Sequence, residues 1–434
     1  MKNTFIISCP IDTHSGYGAR SRDFVKSLIE SNKYEVKILS QMWGNTPEGF
    51  IKNNQEKWGF LKDYIIPNLT EKPDYWCQVT VPNEFQPVGK YNIGLTAGIE
   101  TTVCDGSWIE GCNRMNMVLT SSKHSKSVFE TSQFHKEGNG EEILKLEVPV
   151  KVLMEGADLD VYKILNTPME NNDLYKSINS IPEDYAYLFV GHWMQGEIGH
   201  DRKNVGLLIK TFYETFKDRK LKPALILKTG IVGGSHIDNS EVLRRINIIK
   251  DSIPSLDLPT VYLLHGEITD VDMNELYNHP KVKTMVCLTK GEGFGRPLLE
   301  FSTIDKPIIT TGWSGHIDFL QEENVGIVGG ELENVHETAH IPNMLLKESK
   351  WFKPELGDIK YLFNDTFKNY KNWLKKSKSQ GKYSRNKFSY DEMSNQLKDI
   401  LSTSLPVFPK KMELKLPSMS SIKMPKKIKT LKKV

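Results

Sequence analysis

Short apolar runs alternate with amphipathic stretches along most of this chain, a pattern that predicts strands and helices in turn. The run Phe5-Ile6-Ile7-Ser8 predicts a first strand, followed by a polar, glycine-containing loop from Asp12 to Gly18. From Arg20 to Ile29 the apolar residues Phe24, Val25, Leu28 and Ile29 fall at helical spacing. Further strands are predicted at 34–39, 92–97 and 115–120, with a helix near 124–129 after the last. Residues 44–75 follow neither period and predict an insertion. The alternation restarts at 187–191 and continues through 224–228, 261–264 and 284–289. Each half therefore predicts its own α/β domain on a doubly wound sheet. A last helix is predicted from Ser389, a suitable N-cap, to Leu401. Beyond it Pro406, Pro409, Pro417 and Pro425 break any long helix, so this end is expected to be disordered.

Composition narrows the class. A chain of 434 residues is too long for one ordinary core, and about two domains are expected. The mean hydropathy of −0.42 and the lack of any stretch of ~18 apolar residues predict a soluble protein without a membrane-spanning helix. The apolar run at the start is too short for a secretory signal. Five cysteines, odd in number and without a Cys-x-x-Cys pair, point to a reducing cytoplasm and away from a disulfide framework or zinc site. Charge is uneven. Residues 410–434 hold nine lysines against one glutamate, a charge of +8; subtracting this from the chain's +3 leaves −5 for residues 1–409.

The densest chemistry lies at Gly291-Glu292-Gly293-Phe294-Gly295-Arg296-Pro297-Leu298-Leu299-Glu300. A buried strand precedes it, and Gly291, Gly293 and Gly295 let the backbone turn tightly and approach a ligand. Pro297 fits the first turn of a helix. A strand end, a glycine loop and a helix start meet where open α/β sheets bind nucleotides, and helix starts suit a diphosphate. Carboxylates repel phosphate, so Glu292 and Glu300 are expected to meet hydroxyls, those of a sugar and a ribose.

This run resembles the signature of retaining GT-B glycosyltransferases, in which two glutamates eight positions apart enclose Gly-Phe-Gly. The similarity continues through Lys306-Pro307-Ile308-Ile309-Thr310 and Ser314-Gly315-His316-Ile317-Asp318-Phe319-Leu320. It implies two Rossmann-like domains facing across a cleft. The expected boundaries are residues 1–156 on the acceptor side, 157–385 on the nucleotide-sugar side, a crossover helix at 386–402 and a basic tail at 403–434. It makes Glu292 the sugar contact and Glu300 the ribose contact, with Gly293, Phe294 and Gly295 beside the donor. Lys203 matches the family lysine that grips the diphosphate. His192 stands where the family usually has arginine, leaving Arg202 as a second cation. Gly16 and Gly18 resemble the glycine loop that faces the donor phosphates from the first domain, with Arg20 and Arg22 adding positive potential. Many relatives carry a histidine near the donor's C6 hydroxyl in the region Gly94 to Thr102; this chain has none, and Glu100 is the nearest polar candidate for donor or acceptor.

The pairs Asp158-Leu159-Asp160 and Asp270-Val271-Asp272 fit helix starts as well as metal binding, and no metal or other cofactor is assigned. No Gly-x-Ser-x-Gly elbow occurs and no cysteine sits in a catalytic setting. The resemblance implies front-face substitution, in which the departing phosphate takes the acceptor's proton. Four functions stay open: transfer to a hydroxyl acceptor such as a glycan or lipid-linked sugar, glycosylation of modified DNA bases, a two-domain epimerase or phosphorylase of the same architecture, and a non-catalytic glycan- or sugar-nucleotide-binding subunit. The basic tail suits an anionic membrane surface or nucleic-acid phosphates as partner, the first placing the protein at a membrane periphery.

Overall fold

The computed structural model describes residues 2–135, 142–167, 172–231 and 235–409; the lysine-rich stretch 410–434 lies outside them. The first half builds a six-stranded parallel sheet from β1 (Thr4–Cys9), β2 (Glu35–Ser40), β3 (Tyr75–Val79), β4 (Tyr91–Thr96), β5 (Met117–Thr120) and β6 (Val150–Val152). Its order is β2-β1-β3-β4-β5-β6. The second half repeats the plan with β7 (Ala186–Val190), β8 (Ala224–Lys228), β9 (Val261–Leu264), β10 (Val282–Cys287), β11 (Ile308–Thr311) and β12 (Gly326–Val328), ordered β9-β8-β7-β10-β11-β12. In each sheet the order reverses once, between β1 and β3 and between β7 and β10. Loops leaving the strand ends at such points diverge and open a crevice.

The central strands β1 and β3 are buried at every position, as parallel strands covered by helices on both faces must be. Sequence analysis missed β3, β11, β6 and β12. The last two are three residues long, too short for any period to show, and β3 follows directly on the insertion. That insertion folds as short helical turns at Phe50–Asn53, Gln55–Trp58 and Gly59–Tyr64.

The chain passes between the halves twice, at adjacent places. Ala157 N donates to Phe388 O at 2.7 Å and Tyr390 N donates to Ala157 O at 2.8 Å. At Gly156 a Cβ would collide with the Ser389 carbonyl, so only glycine lets the two crossings lie side by side. The crossover helix runs Tyr390–Ser404, capped by Ser389 Oγ, while 386 and 387 close the preceding helix Tyr370–Lys387. It packs Met393, Leu397 and Leu401 into the first half's core. A hairpin, Gly330–Asn334 against Lys350–Pro354, was not predicted. Its small core of Val335, Ala339, Leu345 and Trp351 also takes Trp313. All five cysteines are buried and free. Among the described residues no helix is long and apolar enough to cross a membrane.

Candidate functional site

Two loops leave the second sheet at its switch point, residues 191–204 after β7 and 288–295 after β10. They are stitched together by backbone contacts. Lys290 N donates to Arg202 O at 2.7 Å, and Asn204 Nδ2 donates to Leu288 O at 2.9 Å. Asn204 adopts a left-handed conformation (φ 55°), which asparagine tolerates, and turns the chain into the helix Val205–Phe216. The stitching sets Arg202 and Lys203 beside Glu292. Lys203 Nζ binds Glu292 Oε1, and Arg202 Nη1 lies 3.6 Å from Glu292 Oε2, 3.6 Å from Glu100 Oε1 and 2.9 Å from Gly291 O. From the loop after β11, Ser314 Oγ accepts from Glu292 N at 2.9 Å.

Glu292 is only 6% exposed. Burial by itself would raise its carboxyl; Lys203 and Arg202 outweigh that and hold it at about 2, fully ionised. Two cations and two carboxylates, Glu292 and Glu100, thus leave this corner close to neutral.

Glu300 lies on the helix Arg296–Ser302 and is equally buried. Here one guanidinium serves three carboxylates. Arg296 Nε sits 2.9 Å from Glu300 Oε1, and Nη1 reaches Asp23 Oδ2 at 2.7 Å and Glu155 Oε2 at 3.4 Å. Asp23 belongs to the first half and Glu155 to the crossing, so this arginine ties all three segments. Burial pushes the Glu300 carboxyl up to about 8; Arg296 opposes the rise, and Asp270 and Glu155 add to it.

The first half closes on the loop directly. A Cβ at Gly291 would collide with the Glu100 carbonyl, and one at Gly293 would lie 2.7 Å from Ala97 O. The room expected for a ligand at these glycines is occupied by the opposite half's backbone. Gly295 is needed for its own conformation, φ 94° at the helix start. Phe294 does not face the cleft: its ring packs in the second half's core, 4.9 Å from Phe319. Gly18 is likewise structural, since a Cβ there would strike the Thr13 carbonyl, whereas Gly16 is exposed with nothing within 4 Å. Arg20 and Arg22 add less free charge than expected. Both are buried, donating to Met154 O at 3.2 Å and to Thr13 O at 2.9 Å respectively. His192 stays exposed beyond β7; the cleft walls, then Lys203 and Lys228, hold its imidazole low.

The acidic pairs have other partners. Asp158 binds Lys57 at 2.6 Å, Asp270 accepts from Tyr162 at 3.3 Å and Asp272 caps with Thr269. Sequence reasoning missed Arg296, Asp23 and Glu155 as parts of the site, while the stretch Gly312 to Gly315 that holds Ser314 was expected beside it. A charged side chain inside the otherwise apolar start of a glycine-loop helix was a signal for Arg296; nothing local marked its partners.

No family model matches the sequence, and no curated protein matches it. Solved structures do resemble the fold. A glycosyltransferase from Rickettsia africae superposes with a TM-score of 0.61 at 14% identity, covering 93% of this chain and 99% of that one. HepE from Anabaena, solved in complex with UDP and glucose, gives 0.58 at 14% identity over 92% of this chain and 100% of its own. Sucrose-phosphate synthase from Thermosynechococcus elongatus gives 0.60 at 11% identity, covering 93% and 99%. Two six-stranded parallel sheets, with the helix Tyr390–Ser404 returned to the first, make this the GT-B fold.

Proposed function

We propose that this protein is a retaining glycosyltransferase that moves a sugar from a nucleotide-sugar donor to a hydroxyl acceptor without a metal. The observation that carries the reading is Glu292, kept ionised by Lys203 and Arg202 at the second sheet's switch point. A carboxylate there accepts hydrogen bonds from the donor sugar's hydroxyls, and the two cations stabilise charge growing on the diphosphate as it leaves. Glu300 would take the ribose hydroxyls. Three of the similar structures hold UDP, UDP with glucose, or UDP-glucose, which supports a uridine nucleotide sugar as the first donor to try.

In the proposed step the acceptor oxygen bonds to the donor's anomeric carbon on the face that the diphosphate leaves. The carbon–oxygen bond to the diphosphate breaks with its electron pair on oxygen, and that phosphate oxygen receives the acceptor's proton. The protein supplies alignment and charge stabilisation, with no nucleophile of its own. The test is UDP release from UDP-glucose by the wild type and by Glu292→Gln. We expect release to fall about a hundredfold or more in the variant, the loss typical of a charge-stabilising group. Equal rates in the two proteins would sink the assignment.

A further inference from the structure

The second sheet's switch point carries the donor chemistry, but the first sheet has its own between β1 and β3, and an aromatic floor is laid across it. Tyr17, in the first turn of the helix Gly16–Ser31, reaches over the strand ends. Its hydroxyl lies 3.0 Å from Thr96 Oγ1 and accepts from Ala97 N at 3.1 Å, at the end of β4. Trp43, from the loop after β2, stacks on that ring with centroids 3.9 Å apart and planes 21° from parallel. The loop carrying Trp43 is fastened to the loop after β1, with His14 N donating to Pro47 O at 3.1 Å and an antiparallel bridge between Thr13 and Glu48. Trp43 is only partly buried and belongs to none of the hydrophobic cores.

The floor is close to the donor corner. The carbonyl of Ala97, whose N–H the Tyr17 hydroxyl holds, is the group that approaches Gly293. Its surroundings are acidic. Glu48 is exposed, Glu100 faces Arg202 at 3.6 Å, and Glu267 of the opposite half reaches His14 at 3.2 Å. Arg20 and Arg22 beneath keep their charge but are buried and donate to backbone carbonyls.

We propose that the Tyr17–Trp43 pair is the acceptor-binding platform and that the acceptor is an uncharged carbohydrate. An aromatic face attracts the polarised C–H bonds on the apolar face of a sugar ring, while carboxylates around it accept from the ring's hydroxyls. The same carboxylates repel a polyanion, so DNA does not suit this floor, and the net charge of −5 over residues 1–409 of the sequence agrees. The assignment rests on the glycosyltransferase reading and adds the acceptor's class.

The test uses the full chain, UDP-glucose as donor and three acceptor probes: methyl glucosides, maltotriose and a short single-stranded DNA. Contact of each probe with the UDP-bound protein is read by saturation-transfer NMR, and transfer by product mass. We expect glucoside or maltotriose contact and transfer. In Trp43→Ala the acceptor KM should rise about tenfold, consistent with loss of an aromatic contact, with UDP Kd within about threefold of wild type. Trp43→Phe should recover most of the difference, which an unfolded variant would not. An unchanged acceptor KM in Trp43→Ala, contact by DNA but by no sugar, or no sugar contact with UDP bound would each overturn the proposal. Failure of UDP to bind the wild type would instead bring down the donor reading beneath it.

Discussion

Two glutamates eight positions apart meet opposite environments. Glu292 sits against two cations, Lys203 and Arg202, and ionises early; Glu300 shares one arginine with Asp23 and Glu155 and resists ionising. The pH consequences differ in sign. Glu292, held at about 2, adds stability that is present above the ordinary carboxylate range and lost as pH falls below it. Glu300, raised to about 8, contributes stability that is fully present at low pH, declines above its unfolded value near 4.5 and is gone once pH passes 8. Between about pH 5 and pH 8 the melting temperature should therefore fall in the wild type and flatten in Glu300→Gln, a comparison that calorimetry can make. Under the proposed ribose role, UDP affinity should strengthen over the same rise, because an ionised Glu300 would accept from both ribose hydroxyls. A pH-independent Kd from pH 6 to pH 9 would contradict that role. Glu292 and Glu300 were readable from the motif, but their charge states were not, since these depend on burial and on Arg202, Lys203, Asp270 and Glu155, none of which is near them in sequence.

At the scale of elements, the glycines divide by what surrounds them, and sequence gave no means to tell them apart. Gly16 opens the helix Gly16–Ser31 onto free space, while Gly18 two residues later is wedged against Thr13. Gly16→Ala should leave the denaturant midpoint close to wild type, whereas Gly18→Ala should destabilise by about 1–3 kcal/mol through overpacking. Similar midpoints for the two would show that the Thr13 loop yields freely. Strands of five or six residues with apolar runs, such as β1, β8 and β10, were legible because both faces are buried and β-branched or aromatic residues fill them. The hairpin 330–354 was not legible. Its strand Gly330–Asn334 carries mostly exposed residues, and it is held by contacts from elsewhere, including Thr102 N to Lys350 O at 2.9 Å.

Across the whole molecule, Arg296 is the ion-pair centre that joins both halves and the crossing. Arg296→Ala would strip three buried carboxyl groups of the guanidinium they share, a loss on the order of 3–5 kcal/mol for broken buried pairs. Solution scattering should show a larger radius for this variant as the halves part. An unchanged radius with unchanged melting would mean that the remaining contacts, the double crossing, Arg202–Glu100 and His14–Glu267 among them, hold the halves without it. The amino-acid order by itself determined the alternation of strands and helices, the two-part organisation and the glycine loop with its paired glutamates, because each is written in neighbouring residues. Tertiary structure alone decided that Phe294 packs inward, that the loop glycines admit the other half's carbonyls, and that Arg202 and Arg296 find their carboxylates. Those outcomes depend on side chains as far apart as Asp23 and Arg296, 273 positions in the chain, and no local period records which distant charges a fold will bring within hydrogen-bond reach.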